Sequence, residues 1–463
     1  MPMKVEQIYT GCLAQGAYMI SCNGEVAIID PLREVAPYIE KANAIDGTIK
    51  YIFETHFHAD FVSGHLTLAE KTGAPIIYGP LANPSFDALI ATDGQEFPLG
   101  DCTIKVLHTP GHTMESTTYL LQDASGSPHA IFSGDTLFLG DVGRPDLAQK
   151  AADMTQEDLA GMLYDSLRAK IMTLPDEVIV YPAHGAGSAC GKNMSTDTVD
   201  TLGNQKRMNY ALRADMSKEE FISEVTDGLL PPPKYFPLNV KLNKEGYQSI
   251  DTVVAQGTRA LSPEEFEQLA EQHQAIVLDV RHQADFIEKH IPRSIFIGLN
   301  GSFAPWVGAL IADISLPILL VVDPGKEEEA VTRLSRVGFD NTLGYLNGGV
   351  VAWEASGRAT DDMRSVSAAD LKTAIENGAK VYDVRKESEY ETAHLPEVAL
   401  TPLDFISDHY QAFPKEGDFY VHCAGGYRSV IAASILKRRG YHNVIDVAGG
   451  FAAIKKEGLE IVS

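Results

Sequence analysis

The chain has 463 residues, with 38 Lys+Arg against 63 Asp+Glu and a formal charge of −25. At about 100–200 residues per domain, this length points to two to four domains. So acidic a surface repels phosphate backbones and anionic lipid, which excludes nucleic acid and membrane surfaces as default partners. Five cysteines do not make a disulfide framework and fit a reducing compartment. The opening MPMKVEQIYTGCLAQGAYMI lacks a charged segment followed by a long apolar run, and no stretch approaches ~18 unbroken apolar residues, so a cytoplasmic location is expected.

In chain order, GAYMISC (16–22) and EVAIID (25–30) are β-prone runs separated by Asn23-Gly24, a two-residue hairpin signal. Further strands are predicted at KYIFET (50–55), APIIYG (74–79), TIKVLHT (103–109), TTYLLQD (117–123), HAIFSGD (129–135) and EVIVYPA (177–183). Helical stretches such as LREVAPYIEKAN and QEDLAGMLYDSLRAKI intervene, implying sheets covered by helices. LLPPPKYFP (229–237) reads as a semi-rigid linker or wrap-around segment, taken as 229–257. Beyond it, LDVRHQADFIEKHIP (278–292) and YDVRKESEYETAHLP (382–396) superpose at an offset of 104 residues. Two copies of a ~100-residue α/β unit follow, so the expected domains are 1–240, 258–360 and 361–463 of a multidomain α/β protein.

The first chemical constellation is Thr55-His56-Phe57-His58-Ala59-Asp60, Pro110-Gly111-His112-Thr113, Ser133-Gly134-Asp135-Thr136 and Tyr181-Pro182-Ala183-His184-Gly185. Each lies at a strand-to-loop junction, where imidazoles and carboxylates on one rim of a sheet can converge on a metal. In this order and spacing the set resembles the metallo-β-lactamase superfamily, which implies an αββα sandwich with the metal at one edge. Hydrolytic members read HxHxDH and usually carry two zinc ions. Here the last position is Phe61, which cannot coordinate, and one metal is expected. ETHFHADFVSG and GDTLFLGDVGRPD resemble the persulfide dioxygenases. That resemblance implies Fe(II) held by His56, His112 and Asp135, with open positions for O2 and a substrate sulfur. It also implies that His58, Asp60, His184 and Tyr181 surround the site, and that Arg144 binds the anionic end of a persulfide such as that of glutathione. The alternative for Arg144 is a buried structural arginine paired with Asp146. Val142 stands where the family often has a cysteine. A rival reading is a zinc thioester hydrolase of the glyoxalase II kind, with metal-bound hydroxide as nucleophile.

The second constellation is DFYVH-CAGGYRS-VIAASILKRRG (418–440), a strand, a glycine loop and a helix. Inward-pointing N–H groups and the helix N-terminus favour a thiolate at Cys423. Only four residues separate Cys423 from Arg428, a loop that suits a sulfane sulfur better than a phosphate. With YDVR, EYETAHLP and VAGGF, the segment resembles rhodanese. The resemblance implies sulfur transfer through a Cys423 persulfide, with Arg428 holding thiosulfate or sulfite. Aligning VVDPG (321–325) with VHCAG (421–425) places Asp323 at the cysteine position of the middle copy, which reads as inactive.

Cys12, Cys22 and Cys102 are expected to be packing residues. Cys190, six residues past His184, is a candidate relay thiol. The combined expectation is oxidation of a persulfide to sulfite, with exchange of sulfane sulfur between persulfides, sulfite and thiosulfate, in a homo-oligomer (dimer or tetramer). A non-catalytic sulfane-sulfur carrier or sensor is the third reading.

Overall fold

The structure is a computed structural model describing residues 3–149 and 153–463. Packing divides it into two units. One runs to Ile250 and takes in Ser335–Gly338; the other comprises Asp251–Leu334 and Phe339–Ser463.

In the first unit the apolar runs form two six-stranded sheets. The first sheet takes its strands in chain order: Lys4–Thr10, Gln15–Cys22, Glu25–Ile29, Thr48–Glu54, Ile76–Tyr78 and Leu89–Ile90. Asn23 and Gly24 have φ of 48° and 85°, the left-handed pair that a tight hairpin demands. The second sheet orders Asp200–Thr201, Ile179–Pro182, Pro128–Gly134, Thr117–Gln122, Cys102–His108 and Glu96–Leu99. Side chains alternate between faces along each strand. Tyr18, Ile20, Phe53 and Ile77 of one sheet therefore meet Ile104, Tyr119, Leu121 and Phe132 of the other in a common core. Ala36–Asn43 and His65–Thr72 cover the outer face of the first sheet. Gln156–Ser166, Leu202–Met208 and Lys218–Thr226 cover that of the second. The unit is an αββα sandwich.

Two expectations change here. Cys22 and Cys102, expected as separate packing residues, are joined as a disulfide. They end Gln15–Cys22 and begin Cys102–His108, one strand in each sheet, so sheet packing rather than sequence spacing brings them together. Segment 229–257, expected as a linker, contains the helices Phe236–Glu245 and Ile250–Gly257. Pro237 lies in the first turn of the former, where its missing N–H breaks no helical bond. Asn243 Nδ2 donates to the carbonyls of His58 and Phe61, and Asn243 Oδ1 accepts from the Ser63 N–H. This helix is thereby fastened to the HxHxD loop, which is the wrap-around alternative.

The second unit holds two five-stranded parallel sheets of identical order. One runs Ala260–Leu261, Thr342–Leu346, Ile318–Val321, Ile276–Asp279, Ile295–Phe296. The other runs Ser365–Val366, Val444–Val447, Phe419–His422, Lys380–Asp383, Ala399–Leu400. The repeated DVR motif is a fold lock. Arg281 clamps Asp279 and donates to the Lys289 carbonyl at 2.8 Å. Arg385 clamps Asp383 and donates to the Ala393 carbonyl, also at 2.8 Å. Both aspartates are fully buried, so each needs such a partner.

Candidate functional site

Strand ends at one rim of the sandwich carry the predicted metal residues. His56 follows Thr48–Glu54, and Asp135 follows Pro128–Gly134. His112 lies in the loop between Cys102–His108 and Thr117–Gln122. One donor atom from each of His56, His112 and Asp135 lies within 4.8 Å of the others, and all three residues are buried. Asp135 Oδ2 is 3.9 Å from His56 Nε2 and 3.4 Å from His112 Nε2.

The tautomers follow from the surroundings. Thr55 Oγ1 donates to Asp30 Oδ2 at 2.8 Å and lies 3.0 Å from His56 Nδ1. With its proton committed to Asp30, the hydroxyl accepts from His56 Nδ1–H. His112 Nδ1 lies 2.9 Å from the Arg144 carbonyl, an acceptor only, so it too is protonated. In both rings the lone pair is then on Nε2, facing Asp135. Burial first, then His58, His112 and His184, hold His56 well below the usual histidine range, which keeps it neutral. Among the described residues, both carboxylate oxygens of Asp135 are buried without a hydrogen-bond partner. An unpaired buried carboxylate is costly, and a divalent cation between these donors would supply its partner. The residues fit a metal.

Thr55→Val should preserve shape but leave His56 Nδ1–H without an acceptor. Metal affinity is expected to fall about 10–100-fold, measured by competition with a chelator. Unchanged retention would remove Thr55 from this role.

His58, Asp60 and His184 form a second buried trio, again with donor atoms within 4.8 Å. His184 Nε2 is 3.5 Å from Asp135 Oδ1, and His184 Nδ1 is 3.4 Å from Asp60 Oδ2. His58 Nε2 turns toward Asp30 at 3.1 Å and Glu54 at 3.7 Å. Burial works against a charged His58, but Asp30, then Glu54 and Asp60, outweigh it and lift its pKa to about 9. The Phe61 ring is fully buried beside His58, with centroids 4.3 Å apart.

Cys190 is buried and joins Asp135 and His184 within 4.8 Å. Burial, then Asp60 and Asp135, push its thiol well above the usual range. Two other candidate residues make contacts of a different kind. Arg144 spans both Asp146 oxygens at 2.6 and 2.7 Å, and donates to the carbonyls of Ala189 and Leu230. Its fork is committed to structure, which is the buried-arginine alternative, and its own carbonyl orients His112. Tyr181 stacks on Phe132, with centroids 5.3 Å apart, and packs against the core between the sheets. Strand alternation points it there, away from the rim.

In the second unit, Cys423 is buried at the end of Phe419–His422, ahead of the helix Arg428–Arg438. The Gly426 N–H points at its sulfur at 3.1 Å, and Ser429 Oγ lies at 3.5 Å. The Cys423 carbonyl accepts from the Phe451 N–H at 2.6 Å. A Cβ on Gly450 would lie 2.4 Å from that carbonyl oxygen, which is why the AGG turn of VAGGF needs glycine. Gly425 has open space where a side chain would stand, leaving that part of the loop uncovered. Arg428, expected to hold a substrate anion, instead forms a bidentate pair with Glu389 at 2.6 and 2.7 Å. That pair neutralises its charge and holds Glu389 below the usual carboxylate range. Here Arg428 braces the loop. Asp323, at the matching position of the middle copy, is exposed. Its loop has one residue fewer before the helix Glu327–Ser335, whose first turn is Glu327, Glu328 and Glu329.

Asp446 accepts from Ser365 Oγ at 2.8 Å, while its buried Oδ1 has no hydrogen-bond partner among the described residues. Burial pushes its pKa up to about 6, so the folded state holds the proton more tightly than the unfolded chain. This contribution to stability is full below pH ~4 and is lost as pH rises through about 6. Asp446→Asn should therefore raise Tm at pH ~7.5, by an amount equivalent to roughly 3 kcal/mol, and change it little at pH ~4. Equal shifts at both pH values would refute the assignment.

Sequence reasoning missed Asp30, Asn243 and Glu389, and read Thr55 and Ser429 only as members of their motifs, without the contacts they make. Asp30 carried a usable signal, since it ends the strand run EVAIID on the same rim. Asn243 carried none, because the prolines before it read as a linker.

Residues 10–184 match the metallo-beta-lactamase superfamily, and residues 262–356 and 367–457 each match the rhodanese-like domain. A crystal structure of a metallo-beta-lactamase from Staphylococcus aureus is 30% identical, with a TM-score of 0.65, and the match covers 75% of this chain and 99% of that one. The human mitochondrial persulfide dioxygenase ETHE1 is 29% identical over 246 residues, 52% of this chain and 88% of that protein. A hydroxyacylglutathione hydrolase from Rhizobium etli is 39% identical over 165 residues, 35% of this chain and 57% of that protein. The sandwich, its rim of histidines and aspartates, and the duplicated parallel sheets agree with these matches: the chain belongs to the metallo-beta-lactamase superfamily and carries two rhodanese-like domains at its C-terminal end.

Proposed function

We propose that this chain is a persulfide dioxygenase with one non-haem iron, coupled to a rhodanese sulfurtransferase and serving sulfide detoxification. The observation that carries this reading is the pairing, on one polypeptide, of the His56–His112–Asp135 donor set with the cradled thiol of Cys423. Two imidazoles and a carboxylate form the donor set suited to Fe(II). Iron bound there would supply open positions for O2 and a sulfane sulfur and a path for electrons from that sulfur to O2.

The net oxidation takes RSSH, O2 and H2O to RSH, sulfite and two protons. Thr55 and the Arg144 carbonyl orient the two imidazoles. Phe61 places an apolar ring beside His58 and His184. At the second site, the Cys423 thiolate attacks the outer sulfur of a persulfide and releases the thiol. Sulfite then takes that sulfur from Cys423 and leaves as thiosulfate. These steps conserve sulfur and need no external oxidant. The same exchange run backwards would load Cys423 from thiosulfate.

The test is oxygen uptake with glutathione persulfide by anaerobically purified protein of measured metal content, with sulfite and thiosulfate quantified. Stoichiometric iron with uptake is expected. The second trio, His58, Asp60 and His184, favours one competing reading, a zinc thioester hydrolase. Stoichiometric zinc, no oxygen uptake and cleavage of a glutathione thioester would establish that reading instead.

A further inference from the structure

The middle rhodanese copy presents Asp323 where a thiol is needed, yet it makes close contact with the loop that carries the thiol of the other copy. Tyr427 lies four residues past Cys423, in that loop. Its hydroxyl donates to the Gly298 carbonyl at 2.6 Å, and its ring meets Phe296 edge-on with centroids 5.8 Å apart. Gly301 is pressed against the same ring, so that a Cβ there would lie 2.4 Å from Tyr427 Cζ. The Phe296 N–H also donates to Ser434 Oγ at 3.0 Å, on the helix that follows the loop.

The shelf under Tyr427 is itself clamped. Arg333 donates to the carbonyls of Leu299 at 2.7 Å and Gly301 at 3.2 Å. It pairs with Glu329 at 3.2 Å and lies over the Phe303 ring. Arg333 belongs to Glu327–Ser335, the helix that follows Asp323. In the last copy the equivalent helix supports the thiol loop. Here it holds the surface on which the neighbouring thiol loop rests.

We propose that the middle copy is a positioning scaffold for the Cys423 loop, with Tyr427 as the latch and residues 298–301, held by Arg333, as its seat. This rests on the sulfurtransferase reading of Cys423. A methyl group at Gly301 forces the Tyr427 ring to shift; a latch passes that shift to a loop only a few residues long, and a displacement of about 1 Å at a reacting group can lower a rate about 100-fold.

The test uses the full chain with Gly301→Ala, which alters only the middle copy, and Tyr427→Phe, which removes only the hydroxyl. Two rates are read: alkylation of Cys423 by iodoacetamide, mapped by mass spectrometry, and sulfur transfer from thiosulfate to cyanide, resolved into kcat and KM. Gly301→Ala is expected to lower both the alkylation rate and kcat about tenfold or more, with the melting temperature and metal content retained. If Gly301→Ala does not fold, Tyr427→Phe carries the test through the same two rates. Folded variants that match the wild type in both would overturn the proposal. A wild type that transfers no sulfur would refute the sulfurtransferase reading alone, because alkylation still reports the position of the thiol.

Discussion

Asp135→Asn is expected to abolish metal retention and bring persulfide-dependent oxygen uptake to background without weakening the apoprotein. The substitution keeps the shape of the side chain. Its amide N–H groups would find the Nε2 lone pairs of His56 and His112, which lie 3.9 and 3.4 Å from one Asp135 oxygen. A buried carboxyl group that makes no hydrogen bond among the described residues is thus exchanged for an amide with acceptors in reach. The apoprotein should melt no lower than wild type on that account, while both imidazole lone pairs become occupied. Ligand linkage supplies the contrast. A metal present at about 100 times its Kd stabilises the wild type by about 2.7 kcal/mol. At ~2–4 °C per kcal/mol for a unit of this size, that is a rise of roughly 5–11 °C in Tm. The variant should show no such rise. Stoichiometric iron with retained oxygen uptake in the variant would sink the assigned donor set.

What could be read in advance divides along physical lines. The strands and the rim residues were legible because both are local. A strand is a run of β-prone residues, and His56 and Asp135 stand directly at strand ends, where the covalent chain fixes their place. The partners of long polar side chains were less so. Arg144 read either as an anion binder or as a structural partner of Asp146, and Arg428 as an anion binder; each has a carboxylate within its reach in the folded chain. Asp146 lies two residues from Arg144, and Glu389 lies 39 residues from Arg428. A guanidinium fork satisfied bidentately by a carboxylate has little left for a substrate. Tyr181 was misplaced by one step of strand alternation, which a motif centred on His184 does not reveal. Cys22 and Cys102 are 80 residues apart and on different sheets, so only sheet packing pairs them. The helix Phe236–Glu245 was hidden behind Pro231, Pro232 and Pro233, which stop one element but say nothing against the next.

Cys423→Ser should eliminate sulfurtransferase activity, leave oxygen uptake intact and shift the product from thiosulfate to sulfite. A serine oxygen cannot carry a sulfane sulfur, so the loss is chemical rather than a matter of degree. The fold has little reason to change. The Gly426 N–H can donate to an oxygen as it does to the sulfur, and the Cys423 backbone carbonyl keeps its bond from Phe451. The Arg428–Glu389 brace does not involve the substituted atom. Persistence of wild-type sulfur transfer would move the chemistry to another thiol, with Cys190 the first to be replaced in the same background. The reciprocal substitution, Asp323→Cys, should not create a second transferase. The loop there is one residue shorter than the one holding Cys423, position 323 is exposed rather than cradled, and Glu327, Glu328 and Glu329 surround the helix start with negative charge. A thiolate and its anionic donors would both be repelled there, whereas at position 423 the Gly426 N–H points at the sulfur. Measured together, the two substitutions separate the thiol from its setting: loss at position 423 shows that the sulfur is necessary, and silence at position 323 shows that a cysteine without the cradle is not enough.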